Sequence, residues 1–158
     1  MAVSELIKSR DERVDELEAE MLSNLPIVDC PVKHIFTPNL YSREIFMPAG
    51  SLVTSKIHKT EHPYVVSQGL VSVWIDNGEE IIIKAPFSGI TKPGTRRVLF
   101  VWEDTIWTTF HVDIEDGKDV DKIEERIIEK HDNKKITNEV KKKMAKIASR
   151  IEKRLRNN

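Results

Sequence analysis

His58 and His62 are the first candidates for chemistry in this chain of 158 residues. Neutral imidazole nitrogens bind transition metals, and histidine also acts as a general acid or base. Lys56 precedes His58 by two residues and Tyr64 follows His62 by two, so a cation and a hydroxyl accompany the pair. Two histidines with three residues between them also occur by chance, and the pair becomes informative only through the elements that position it.

The segments around this pair fall into three zones. Residues 3–25 have apolar residues at three- and four-residue steps, which predicts a helix with Ser4 as its N-cap and Pro26 after its end. Residues 117–158 show the same periodicity in two stretches, separated by the polar Asp132-Asn133. We therefore divide the chain into an N-terminal helix, a β-barrel domain and a C-terminal helical extension, at residues 1–26, 27–113 and 114–158.

The middle zone is rich in Val, Ile, Thr and aromatic residues, and turn-forming Pro, Gly and Asn residues interrupt it at short intervals. The pattern predicts short strands near residues 32–36, 41–47, 51–58, 63–67, 70–75, 79–84, 87–91, 96–102 and 105–112. Asn77-Gly78 lies between two of them and is a strong signal for a β-hairpin. Many short antiparallel strands in succession predict a sandwich or a barrel.

One stretch of this zone resembles a known motif. Gly50-Ser-Leu-Val-Thr-Ser-Lys-Ile-His-Lys-Thr-Glu-His62, followed after six further residues by Gly69, is similar in all its spacings to the first motif of the cupin superfamily. Lys56 stands where that motif has its first His, and His62 stands where it has its Glu. The segment Thr91–Arg97 is similar to the second motif, with Arg97 in place of its His.

The resemblance covers about residues 30–113 and implies a mainly β fold, a cupin-like jelly-roll barrel flanked by N-terminal and C-terminal α-helices. Pro48–Val112 also resembles small cupin-like proteins of bacteriophages. In a cupin jelly roll the last strand lies beside the one that carries the position of His62, which places His111 in the same pocket. The resemblance thus implies that His58, His62 and His111 hold a divalent transition metal, one of Fe, Mn, Ni, Co or Zn. The alternative is that they are hydrogen-bonded structural residues.

The two cations at motif positions bear on the ligand. Strand alternation places Lys56 on the same face as His58, inside the barrel, and Arg97 is expected to enter the same cavity. Two buried cations are costly without an anion. Either internal acids neutralise them, with Glu44 and Glu61 as the candidates, or the pocket binds a small anionic ligand, for which an arginine fork suits carboxylate or phosphate. The alternative is that Lys56 reaches the barrel mouth and Arg97 pairs with Glu103 or Asp104.

Two aromatic residues complete the predicted pocket. Tyr64 shares a strand face with His62 and is the candidate catalytic residue, either moving a proton or orienting a substrate. Trp107 shares a face with His111 and is expected to line the cavity as a substrate contact. The alternative for Tyr64 is a core position with a satisfied hydroxyl.

Charge is distributed unevenly along the chain. Residues 134–158 carry a net charge of +8, and the remaining 133 residues carry −9. An apolar stripe runs through the basic segment, formed by Val140, Met144, Ile147, Ile151 and Leu155. A narrow stripe of this kind suits a helix packed on a partner, so we expect a homo-oligomer formed through the terminal helices. Nucleic-acid binding by the basic helix is possible but less favoured, because the tail has no stacking aromatic residues.

Several classes of protein are disfavoured. The longest apolar run is too short for a transmembrane helix, and no apolar segment of a signal peptide follows Met1. The single Cys30 excludes an internal disulfide and suits the cytoplasm, which would be that of the host if the protein is phage-encoded. The sequence has no glycine-rich phosphate loop, no nucleophile elbow and no dinucleotide fingerprint.

These observations favour a metal-binding, cupin-like protein that acts on a small anionic molecule in the barrel pocket. One alternative is a non-catalytic module that sequesters a small anionic or nucleotide-like ligand. Another is a phage structural or assembly protein in which the barrel is only a scaffold. Whether the protein is an enzyme is left open by the sequence, since two motif positions differ in residue type.

Overall fold

The computed structural model describes residues 8–75, 78–115 and 117–157. The elements in chain order are α1 (Arg10–Asn24), β1 (Val32–Thr37), β2 (Leu40–Met47), β3 (Leu52–Thr54), β4 (His62–Trp74), β5 (Glu80–Lys84), β6 (Phe87–Thr91), β7 (Val98–Val112), α2 (Val120–Ile127) and α3 (Asn138–Arg156). They belong to two compact units. Cys30–His131 holds the strands and α2, and the described parts of Met1–Asp29 and Asp132–Asn158 hold α1 and α3.

The strand unit is built on two long antiparallel strands, β4 and β7. The N-terminal part of β7 pairs with β3 and its C-terminal part with β2, which in turn pairs with β1. In the same way, β6 pairs with the N-terminal part of β4 and β5 with its C-terminal part. The prediction of a mainly β, jelly-roll barrel with helices before and after it in the chain is confirmed.

Alternation of side chains explains the core of this barrel. On β4, Val71 and Val73 are fully buried, and Leu99 and Val101 face them from β7. The cluster is completed by Tyr64 and Val66 from β4, Trp107 from β7, Met47 from β2 and Ile83 from β5. Burial of side chains of this size contributes about 1.5–3 kcal/mol each, so this cluster dominates the stability of the barrel.

The two long strands replace four predicted short ones. The sequence signals near Gly69 and near Glu103-Asp104 mark irregular pairing rather than turns, since the register shifts between Val66 and Val71. Gly69 has a φ of +103°, and the Gln68 amide nitrogen donates a 3.1 Å hydrogen bond to the Asp104 carbonyl oxygen. A bulge of this kind bends a strand without ending it.

The predicted strand at residues 51–58 is much shorter than expected. β3 ends at Thr54, and the chain continues along the second-motif segment through bonds from Ser55 N to Arg97 O and from His58 N to Thr95 O. His58 then forms an isolated bridge with Ile128, directly after α2. The loop that carries His58 is therefore held between two segments and does not follow strand alternation.

The helices also differ from the prediction in their limits. α1 begins at Arg10 with Ser9 as N-cap in a capping box with Glu12, whereas the predicted start at residue 3 and the predicted cap Ser4 lie outside the described residues. Residues 114–131 were assigned to the C-terminal extension, but their described part lies in the barrel unit. No helix in the described part of the chain is long and apolar enough to cross a membrane.

α3 has the predicted apolar stripe, but the described side chains of the stripe are only half-buried. No residue of α3 whose side chain is described is buried, and the apolar stripe from Val140 to Ile151 is half-buried. Leu155, the last residue of the predicted stripe, is not among the residues whose side chains are described. Homo-oligomer formation through the terminal helices stays a prediction.

We expect Gly69→Ala to destabilise the barrel by about 2–4 kcal/mol, because the φ is unfavourable for alanine and the new methyl group would lie 2.7 Å from the Asp104 carbonyl oxygen. Gly50→Ala is the matched control, since Gly50 also has a positive φ of 84° but open space around it. Urea unfolding of both variants measures the difference. Equal losses in the two variants would show that the close approach at Gly69 has no cost.

Candidate functional site

The structure brings the three predicted histidines together inside the barrel. His62 begins β4, His111 lies near the end of β7, and the centroids of their rings are 4.3 Å apart. The His58 ring, on the loop after β3, lies 5.0 Å from that of His62. His62 and His111 are buried, at 3% and 4% exposure. Three segments distant in sequence thus form one imidazole cluster, His58–His62–His111.

Each ring of the imidazole cluster has one buried nitrogen without a hydrogen-bond partner among the described residues, namely His58 Nδ1, His62 Nε2 and His111 Nδ1. His62 Nδ1 donates to the Thr60 carbonyl oxygen at 3.0 Å, so its Nε2 presents a lone pair. His111 Nε2 is hydrogen-bonded to Thr109 Oγ1 at 2.9 Å. Buried polar atoms are nearly always satisfied, so these three nitrogens are available to bind a ligand or a water molecule.

The imidazole cluster is uncharged at neutral pH. Burial, together with a smaller contribution from the neighbouring His62, lowers the pKa of His58 to about 4 and that of His111 to about 3. The pKa of His62 is also lowered by burial, although its bond to Thr60 opposes the shift. Neutral imidazoles can coordinate a metal or accept a proton, so the cluster keeps both chemistries available.

Arg97 lies in the same interior, as predicted. It is 6% exposed, its Nη2 donates to Thr91 Oγ1 at 3.0 Å, and its guanidinium carbon is 5.1 Å from the Tyr64 ring centroid and 5.6 Å from that of Trp107. Tyr64 and Trp107 stack on each other with centroids 4.6 Å apart. Burial lowers the pKa of Arg97 from its ordinary value, and the contact with Tyr64 opposes that shift.

Arg97 does not form an ion pair with Glu103 or Asp104, the partners named in the alternative interpretation. Asp104 accepts instead from the Ala49 backbone N–H at 2.8 Å, and the two acids lie on an exposed part of β7. Within the described part of the chain, the Arg97 guanidinium forms no ion pair with a carboxylate. The interpretation of Arg97 as a structural partner of Glu103 or Asp104 is therefore wrong.

The inward position predicted for Lys56 is also wrong. β3 ends at Thr54, so alternation no longer controls the orientation of Lys56. Its side chain is 65% exposed and pairs with Glu124 of α2, with Nζ and Oε2 3.4 Å apart. Lys56 therefore does not join His58 as a ligand contact in the interior.

Sequence reasoning missed the contribution of β2. Tyr41 pairs in register with His111, and Arg43 pairs with Thr109, so both strands present these residues to the same interior. Tyr41 is 1% exposed, its ring stacks 5.8 Å from that of His111, and its hydroxyl is hydrogen-bonded to His34 Nδ1 at 2.6 Å. Alternation from Tyr41 to the buried Met47 was the signal that could have found Arg43.

Helix α2 covers the end of the barrel that holds the imidazole cluster. Ile123 and Ile127 pack against Tyr41 in a second apolar cluster. Backbone bonds from Lys59 N to Ile127 O and from Glu129 N to Ile57 O join the helix end to the His58 loop at 2.8 and 2.9 Å. This cover excludes water from the imidazoles and explains why burial dominates their pKa shifts.

The chemistry of the imidazole nitrogens suits a metal ion, but their positions do not form a metal site. Neutral imidazole nitrogens are good transition-metal ligands, and each ring has a nitrogen to spare. As placed, however, the described residues contain no group of three or more His, Cys, Asp or Glu side chains that could hold a metal ion. Coordination by all three rings would require rotation of at least one imidazole about its χ angles.

The sequence matches no protein-family model and no curated protein. Solved structures similar to the chain include the cupin domain of Cnp3 from Schizosaccharomyces pombe (16% identity, TM-score 0.45, covering 61% of this chain and 70% of that one). A conserved protein with a double-stranded β-helix domain from Klebsiella pneumoniae is 18% identical with a TM-score of 0.48, covering 58% of this chain and 84% of that one. At these values no residue role and no ligand is transferred from them to this chain.

We expect the stability of the metal-free protein to fall as the pH falls from about 6.5 to about 4. The native pKa values of His58 and His111 lie below the ordinary 6.5, so in this window the unfolded chain binds protons that the native state does not. The stabilisation is complete above pH 6.5, and His58 alone accounts for a change on the order of 3 kcal/mol.

Urea unfolding of EDTA-treated protein across this pH range measures the effect. His58→Gln should flatten the dependence, whereas the control His131→Gln, at an exposed site, should keep the wild-type slope. Identical slopes in the two variants would contradict burial of a neutral His58.

Proposed function

We propose that the protein binds a small anionic molecule inside the barrel and that Arg97 holds the anion. The observation that carries this proposal is a guanidinium at 6% exposure without an ion pair to any described carboxylate. A buried charge without a counter-charge is costly, and its removal from water is offset only in part by the Tyr64 and Trp107 rings. An anionic ligand supplies the missing charge.

The surroundings of Arg97 give this ligand a defined site. Tyr64 and Trp107 offer stacked aromatic faces, and Thr91 fixes one side of the guanidinium. The neutral imidazole cluster adds hydrogen-bonding nitrogens without adding charge. If the protein is an enzyme, Tyr64 is the residue that orients the substrate or moves a proton, and otherwise the same groups sequester the anion.

We expect Arg97→Ala to weaken binding of an anion by roughly tenfold to a hundredfold, the loss of one or more charge-assisted hydrogen bonds. Without ligand the variant should be about as stable as wild type, because an unpaired buried charge is removed along with its contacts. Calorimetric titration and thermal melts with phosphate and small carboxylates measure both effects. Lys84→Ala, which removes an exposed cation from β5, is the control. Failure of every anion to raise the wild-type melting temperature would contradict the proposal.

A metal-dependent form of this function is the second candidate, and the three unpartnered nitrogens of the imidazole cluster favour it. His58, His62 and His111 would hold the ion, which would supply Lewis-acid chemistry beside the anion. The sequence placed the metal first. We place it second because the rings are not arranged around one point, whereas Arg97 is already in place.

We expect protein purified without a nickel column to contain stoichiometric Fe, Mn, Ni, Co or Zn if the second candidate holds. Elemental analysis measures the content, and visible absorption after Co²⁺ addition reports coordination by nitrogen. His62→Ala should abolish both signals, and His131→Ala should abolish neither. Metal-free protein that still binds an anion is the non-catalytic module, and protein that binds neither fits the scaffold of a phage-type assembly protein.

A further inference from the structure

We infer that the anion is a dianion and that Arg43 is its second binding residue, opposite Arg97. This inference rests on the proposed function, since it assigns the ligand class of the same interior. It concerns a residue outside both motif-like segments. Two observations carry it: the register of β2, β7 and β4, and the absence of a carboxylate counter-charge within the described part of the chain.

The register places Arg43 and Arg97 at the two ends of one row. Arg43 of β2 pairs with Thr109 of β7, and Thr109 pairs with Tyr64 of β4. Residues paired across neighbouring strands project to the same face, and strands lie about 4.8 Å apart, so the Cα atoms of Arg43 and Tyr64 are about 10 Å apart. Arg97 lies over the ring of Tyr64. A small molecule above Thr109 is within reach of both guanidinium groups.

The charge of this interior is not balanced within the protein. Arg43 is half-buried and, like Arg97, forms no ion pair with the carboxylates of the described residues. Glu124 of the covering helix pairs with Lys56, and Asp113, directly after β7, pairs with Arg126.

The positive charge of Arg43 also reaches the imidazole cluster, where it contributes to the lowered pKa of His58 and His111. The two guanidinium groups bring two positive charges into this interior. A monoanion leaves one of them uncompensated, whereas a phosphate group or a short dicarboxylate neutralises both. Thr109 lies in the row between Arg43 and Tyr64, and its hydroxyl is hydrogen-bonded to His111 Nε2.

The test compares dianions with monoanions on the full chain at pH 8. Inorganic phosphate and malonate are the dianions, acetate and formate are the monoanions, and calorimetric titration gives each affinity. Wild type is expected to bind at least one dianion roughly tenfold or more tightly than either monoanion. Whichever of phosphate and malonate binds more tightly then shows whether the ligand carries a phosphate group or two carboxylates.

Arg43→Met is expected to weaken the preferred dianion by roughly tenfold to a hundredfold and to change acetate binding less than threefold. Lys33→Met is the matched control, because it removes one charge from the adjacent strand β1 at an exposed position. Circular dichroism verifies folding. If Arg43→Met does not fold, Arg43→Lys replaces it in the test. Lysine keeps the positive charge but lacks the planar guanidinium, so the loss of affinity for the dianion should be intermediate.

The outcomes separate the two proposals. If Arg97→Ala loses the anion while Arg43→Met and Arg43→Lys bind dianions as wild type does, the role of Arg43 is overturned and the proposed function stands. If wild type binds acetate as tightly as phosphate and malonate, the dianion class is overturned. If wild type binds none of the four anions, the proposed function itself fails.

Discussion

A positive charge buried without a carboxylate partner is the constraint on which the rest of this site depends. Arg97 is held by Thr91 and by the faces of Tyr64 and Trp107, which compensate only part of the cost of removing a guanidinium from water. The barrel core supplies the remainder, since its large apolar cluster keeps this arrangement folded. A site that is costly when empty gains its full stabilisation only with a ligand of opposite charge.

The cover formed by α2 strengthens this constraint. Ile123 and Ile127 bury the Tyr41 side of the interior, and the backbone bonds between the His58 loop and residues 127–129 tie the helix end to the barrel. Exclusion of water lowers the local dielectric constant, which increases both the cost of the unpaired arginine and the attraction of an anion. It also keeps the imidazole cluster neutral, so the histidines do not repel a metal ion and do not attract an anion by charge.

Much of the barrel was predictable because strand alternation and turn residues are local signals. The strands near residues 32–36, 79–84 and 87–91 follow from them, and the cupin-like spacing correctly brought His58, His62 and His111 together. Lys56 was misplaced because β3 ends early, where tertiary bonds to the Arg97 segment replace strand pairing. Alternation from Tyr41 to Met47 groups Arg43 with these residues on one face of β2, but only the register between β2 and β7 places that face beside His111, so Arg43 was missed.

The charges also determine how the two candidate ligands depend on each other. A divalent ion held by three neutral imidazoles would add two charges to an interior that already contains Arg43 and Arg97. Its binding would therefore be unfavourable in the absence of an anion, while an anion bound to the arginines would lower that cost. By thermodynamic reciprocity the metal would raise the affinity for the anion by the same factor. If both ligands bind, the imidazole cluster and the arginines would act as one coupled site, in which a bound anion would favour the metal.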